Sequence, residues 1–126
     1  MNLFILSLIM KKCASYHFDK HVIKMILECA QLLSSVHHAL NPKQGEHLQK
    51  EGKIYRKTHV NHPCAQWTRA HINNYIWVCN LGLELCDEYV RRYQKTNDHA
   101  CKAKLQFLLD NVPEGINRYA NFIIHL

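Results

Sequence analysis

Four residues early in the chain have the types and spacing for chemistry: His17, His21, Lys24 and Glu28. His17 and His21 stand one helical turn apart, a spacing that lets two imidazoles reach one metal ion. The Glu of an H-E-x-x-H site is missing and a cation, Lys24, occupies the next turn, so a metal centre here needs His59 or His62 to arrive from elsewhere. The commoner fate of such histidines is hydrogen bonding. Glu28 follows Lys24 at i+4, and two readings stay open. One is a helix-surface ion pair worth roughly a few tenths of a kcal/mol. The other is a carboxylate acid/base whose pKa is set by His21, Lys24 and partial burial. Lys24 is in turn an amine nucleophile if those same cations lower its pKa.

Such a set works only on an element that presents it along one face. Val22, Met25, Ile26, Cys29, Leu33 and Val36 recur three and four apart, which predicts an amphipathic helix with a buried stripe. A second series, His17, His21, Lys24, Glu28, Gln31 and Ser35, runs beside the first. The helix is expected to reach about Ala39, with Asp19 as a cap and Asn41-Pro42 as the stop.

From Asn41 to His62 the chain is polar and poorly periodic. It carries Lys43, Lys50, Lys53, Arg56 and Lys57 against Glu46 and Glu51, with Tyr55 and His59 interleaved. A long loop of this kind suits phosphate contact plus base stacking, with His59 and His62 as further contacts, or is simply a solvated surface. Pro63 opens the next helix, whose face of Trp67, Ile72, Tyr75, Ile76, Cys79, Leu83, Cys86, Val90 and Tyr93 predicts a bend near His71 to Asn74. Gly82 marks an expected close crossing. A turn at Thr96-Asn97-Asp98 leads to a helix from His99 to Leu109, broken at Asn111 to Gly115, and Ile116 to Leu126 is expected to dock on the core. The first segment, Asn2 to Leu6, is apolar and ambiguous between strand and helix, with Ser7 a possible cap for a turn after it. Strand signals are otherwise almost absent. The expected architecture is all-α, a compact bundle of three to four helices with a long basic loop, forming one domain over residues 1–126.

Composition narrows the partners. A length of 126 residues is enough for one hydrophobic core, and a formal charge of +6 favours an anionic partner such as nucleic acid. Ten histidines would raise that charge further in mild acid. The six cysteines include no C-x-x-C pair and read as reduced core thiols of an intracellular protein. The apolar run over residues 1–10 has its lysines, Lys11 and Lys12, after it rather than before it, and is far shorter than the roughly 20 residues of a spanning helix. No membrane partner and no cofactor is expected.

Two groups of residues then resemble known families. Asp19-Lys20-His21-Val22-x-Lys24-Met25-x-x-Glu28-x-Ala30-Gln31-Leu32-Leu33, with His59-x-Asn61-His62-Pro63-x-x-x-Trp67, resembles a family of small proteins from phages and large DNA viruses. More remotely, the order of elements resembles the phage pyrimidine-dimer DNA glycosylases of the endonuclease V type. The corresponding pieces are Asn2 to Leu33, Trp67 to Tyr93 with its Leu85 to Arg92 stretch, and the Pro-containing tail from Asp110 to Gly115. That resemblance implies a helical, basic protein that binds kinked DNA. It implies cleavage of an N-glycosidic bond through an imine with the N-terminal α-amine, assisted by a glutamate on the first helix. One departure matters: with His17 on the family's first-helix histidine, Lys24 rather than Glu28 falls where that glutamate would stand. The chain also begins slightly late against the pattern, which leaves the amine open between the terminus and Lys24. A viral or phage-like origin would place the protein in the host cytoplasm or the virion.

The expected function is therefore base excision of the DNA glycosylase/lyase type on damaged or modified bases. His17, His21, Lys24 and Glu28 line the site, while Lys43, Lys50, Lys53, Arg56, Lys57, His59 and His62 hold nucleic acid. The alternatives are a non-catalytic nucleic-acid-binding or virion protein of the same fold, and a metal-dependent enzyme on nucleotides or phosphate esters that uses His17, His21 and a loop histidine.

Overall fold

The stripe of residues three and four apart winds into α1, Lys20–Leu40, and buries Met25, Ile26, Cys29, Ala30, Leu33 and Val36 almost completely. The computed structural model describes residues 20–93 and 99–119, and of residues 20–22 and 93 only the backbone. Four more helices follow among the described residues: α2, Pro42–Lys50; α3, Pro63–Ala70; α4, Ile72–Tyr93; and α5, Lys102–Asp110. There is no strand among them, and the arrangement is an all-α bundle as expected. The expected starting segment over residues 2–16, the cap at Asp19 and the turn at residues 96–98 lie outside the described residues.

α1 packs chiefly on α4, and α5 closes against both. Tyr75, Val78, Cys79, Leu81, Leu85 and Cys86 of α4 meet the α1 stripe, and Leu105 and Leu108 of α5, with Ile54 and Ile116 from the connections, complete one contiguous core. Gly82 lies at the crossing. A Cβ there would stand 2.8 Å from a Leu105 methyl and 3.3 Å from the Cys29 Cβ. Leu105 is fully buried, so a bulkier residue at position 82 has to displace a packed core side chain. Gly82→Val is therefore expected to lower stability by about 1–3 kcal/mol, read from urea unfolding midpoints.

Two features differ from the sequence expectation. The connection from Asn41 to His62 contains α2, so the basic loop is shorter and the described helices number five rather than three or four. Pro42 serves as the first residue of a new helix as well as the stop of α1. α2 was invisible to periodicity because it packs through a glycine: Gly45 is buried, and a Cβ on it would stand 2.9 Å from His38 Nδ1 and 3.2 Å from the His38 backbone nitrogen. α5 begins at Lys102 rather than His99, after a turn in which His99 Nδ1 accepts the Cys101 N–H.

The break between α3 and α4 falls at His71, within the stretch where a bend was expected. His71 is extended, at φ −157° and ψ 150°. Its Nδ1 accepts the Asn73 N–H at 3.0 Å, which leaves Nε2–H to donate to the Tyr119 carbonyl at 2.9 Å. The Ile72 N–H donates to Asn117 O, so the segment after α5 is tied to the hinge between the two helices. Of the cysteines, Cys29, Cys79, Cys86 and Cys101 are buried and Cys64 is half-buried, none of these five in a disulfide, while Cys13 lies outside the described residues. No described helix is long and apolar enough to cross a membrane.

Candidate functional site

The second series on α1 forms one wall of a cleft of about 360 Å³, lined on that side by Lys24, Leu27, Glu28, Gln31, Leu32 and Ser35. Thr58, His59, His62 and Cys64 form the other wall, where the irregular segment after α2 runs into α3. Each polar group sits on the α1 face beside the buried stripe, so the packing of Met25, Ile26, Cys29 and Leu33 against α4 is what aims Lys24, Glu28 and Gln31 outward.

The opposite wall is held by side chains from the second half of α1. The Ser34 hydroxyl donates to Ala30 O at 2.7 Å and accepts the Tyr55 N–H at 3.0 Å. The Ser35 hydroxyl lies 2.8 Å from the Thr58 carbonyl and 2.9 Å from its own-helix Gln31 carbonyl, and shares its proton between them. His38 Nε2 donates to the Tyr55 carbonyl at 2.9 Å. These bonds lay residues 55–58 along α1, so that His59 and His62 line the same cleft as Glu28. Ser34→Ala leaves the Tyr55 N–H without its buried acceptor. We expect a loss of about 1–3 kcal/mol, read by denaturant unfolding, with faster exchange of the Tyr55 amide proton.

Beyond Thr58 the chain turns sharply. His59 has a left-handed backbone, φ +48°, and the His62 N–H closes a turn onto His59 O. His62 caps α3, its Nδ1 accepting the Cys64 N–H at 3.1 Å, so the neutral ring carries its proton on Nε2. Gln66 Nε2 donates to Asn61 O and the Arg69 guanidinium to Val60 O, tying the turn to the helix it starts.

Lys24 is exposed and Glu28 half-buried. The ion pair that their i, i+4 spacing allows is not formed, since no N···O approach within 4.0 Å joins them. Elsewhere in the bundle, Glu88 is committed: it accepts from Arg92 and Arg91, whose hydrogen bonds hold its carboxyl below the usual range, Arg92 first. A second cleft, about 700 Å³, adjoins the first and is lined by Ile23, Lys24, Leu27, Tyr55, His99, Ala100 and Cys101. Tyr55 Oη lies 3.0 Å from Cys101 Sγ, and burial together with that bond pushes the phenol up to about 12. The Lys104 ammonium lies 4.8 Å above the Tyr55 ring, and that of Lys53 5.5 Å above Phe107.

The fold thus brings Lys24, Glu28, His59 and His62 to one cleft. His17 lies outside the described residues, and His21 is on α1 with its side chain undescribed. Lys43 and Lys50 are exposed on α2, where Lys50 approaches Glu46 at 3.6 Å; Lys53, Arg56 and Lys57 are exposed on the segment after it. None of these five lines the cleft. Thr58 and Cys64 were not anticipated as lining residues, and only their closeness to His59 and His62 in sequence hinted at it. Among the described residues no three His, Cys, Asp or Glu side chains are grouped to hold a metal ion.

A family model described as pyrimidine dimer DNA glycosylase matches residues 1–100, a span that includes α1 to α4 and both walls of the cleft. No curated protein matches the chain, and no solved structure does.

Proposed function

Because the chain belongs to the pyrimidine dimer DNA glycosylase family, we propose that the cleft between α1 and residues 58–64 breaks the N-glycosidic bond of a damaged pyrimidine in duplex DNA. The observation that carries this reading is the convergence of Glu28 and Lys24 on one wall with His59 and His62 on the other. Breaking a glycosidic bond leaves positive charge on the sugar, and a half-buried carboxylate is placed to stabilise that charge and to pass a proton. The apolar sides of Leu27 and Leu32 suit the face of a base or sugar, while the polar tips orient it.

DNA is held at the rim in this account. His59 and His62 contact phosphates beside the cleft, and Lys43, Lys50, Lys53, Arg56 and Lys57 extend the positive surface away from it. Binding through such contacts weakens steeply with salt. His17 and His21, from the same series in the sequence, are assigned to this site as well.

The test is an incubation of the protein with a duplex bearing one cyclobutane thymine dimer and with the same duplex undamaged, each then treated with alkali. Breakage of the damaged strand at the dimer alone is the expected result. Two intact duplexes, with the protein bound to both, would mean a non-catalytic DNA-binding protein.

A further inference from the structure

Three large hydrophobic side chains stand exposed among the described residues, and two of them, Ile23 and Leu27, lie one turn apart on α1 at 41% and 38% exposure. Leu27 lines both clefts and Ile23 the second, so the pair forms an apolar ridge where the clefts meet. A single exposed leucine is ordinary on a protein surface, whereas an apolar ridge between two clefts marks a place for a partner. The surroundings select an anionic one. Lys24 stands on the ridge and lines both clefts. The Lys104 ammonium is held 4.8 Å above the ring of Tyr55, another lining residue of the second cleft. No carboxylate is among the described residues that line that cleft, and Lys53, Arg56 and Lys57 are exposed on the segment that carries Tyr55. Stacked bases between two lines of phosphate match this pattern, and proteins that bend DNA push aliphatic side chains between base steps in this way.

We infer that Ile23 and Leu27 form a wedge that enters the base stack at the damaged step and selects it over intact DNA, an assignment that rests on the reading of the cleft as a site for damaged duplex. Separating two stacked bases costs free energy, and costs least where damage has already weakened stacking and pairing. The gain from burying the two aliphatic side chains is the same at every step. The difference between the two terms therefore favours the damaged step, and neither side chain has to read a base edge. Lys24, between them in sequence, is placed to hold a phosphate beside the opened step. Leu27 is followed by Glu28, so a stack opened at the ridge sets the damaged nucleotide at the mouth of the cleft that holds the carboxylate.

The experiment measures binding, by fluorescence anisotropy, to a duplex bearing one thymine dimer and to the same duplex undamaged. It uses the full chain in a Glu28→Gln background, which keeps the strand whole during the measurement. Ile23→Ser combined with Leu27→Ser is expected to lower the preference for the damaged duplex about tenfold or more, the scale of aliphatic side chains no longer buried. Affinity for the undamaged duplex, and its fall with salt, stay at the background values because no charge is lost. Ile23→Met combined with Leu27→Met keeps the apolar bulk and the preference. A 2-aminopurine in the base pair beside the dimer, whose fluorescence rises on unstacking, is expected to brighten with the background protein and the methionine variant and to stay dim with the serine variant. A serine variant that keeps the preference, or that loses both duplexes equally, overturns the wedge. So does a background protein that leaves the 2-aminopurine dim, whatever the stability of the variants. A background protein that brightens it and prefers the damaged duplex, while the native chain leaves the dimer strand intact in alkali, overturns the glycosylase reading and leaves the wedge standing.

Discussion

Replacing Glu28 by glutamine is expected to slow cleavage of the dimer-bearing strand by about 10²–10⁴-fold, the range typical of a lost acid/base group, while DNA binding and the unfolding midpoint stay close to the parent values. The shape of the side chain is kept, and no described hydrogen bond or ion pair of the fold uses the Glu28 carboxylate. What changes is the charge opposite His59 and His62 and the capacity to carry a proton. Single-turnover rates across pH check the claim. The glutamine variant should stay below the parent rate at every pH. A variant that cuts at the parent rate would move the chemistry away from this residue.

A second large effect is expected in the bundle interior. His37 Nε2–H donates to Tyr75 Oη at 3.1 Å, and Tyr75 Oη–H donates to the Leu108 carbonyl at 2.7 Å, a chain of bonds linking α1, α4 and α5. Burial, with the nearby His38 second, lowers the His37 imidazole from 6.5 to about 4. Above pH 6.5 the ring is neutral in both folded and unfolded chains and its contribution is constant. As pH falls from 6.5 towards 4, the unfolded chain takes up a proton that the folded protein resists, so stability is lost across that window by about 3 kcal/mol and no further below it. His99 is lowered by burial as well and contributes in the same direction. Glu88 acts lower, since its depressed carboxyl stabilises the fold above about 4.5 and that contribution fades as pH falls through its folded value. Urea unfolding of the parent and of His37→Gln at several pH values separates these terms. The difference between the two curves should shrink as pH falls from 6.5 to 4. Parallel curves would contradict the assignment.

Legibility in the sequence differed between the two walls of the cleft. The α1 wall was readable because one side of that helix is buried and the other is not. Hydrophobic residues three and four apart therefore marked the core, and the polar set beside them marked the cleft. The break at His71 was readable for a related reason, since one straight helix from Pro63 to Tyr93 is longer than a bundle of this size needs. The opposite wall was only half readable. His59 and His62 stood out by type, and their place in the cleft depends on Ser34, Ser35 and His38 accepting and donating across to residues 55–58. Those are single polar side chains with no period, so periodicity carries no trace of them. Nor does composition separate Lys24, which lines the cleft, from Lys43 and Lys50, which stand on α2 away from it. That distinction needed Gly45, whose missing side chain lets α2 lie against His38. The resemblance to pyrimidine-dimer glycosylases, read on the first helix and the aromatic helix after Pro63, agrees with the family match over residues 1–100.

The central claim is that the Glu28 cleft breaks a glycosidic bond, and mass spectrometry of the damaged strand after one turnover tests it most directly. The account predicts a strand in which one base at the dimer has been severed from its sugar, formed by the parent protein, strongly reduced with Glu28→Gln and absent from the undamaged duplex. A damaged strand recovered at its starting mass, from protein shown to be bound to it, would contradict the account.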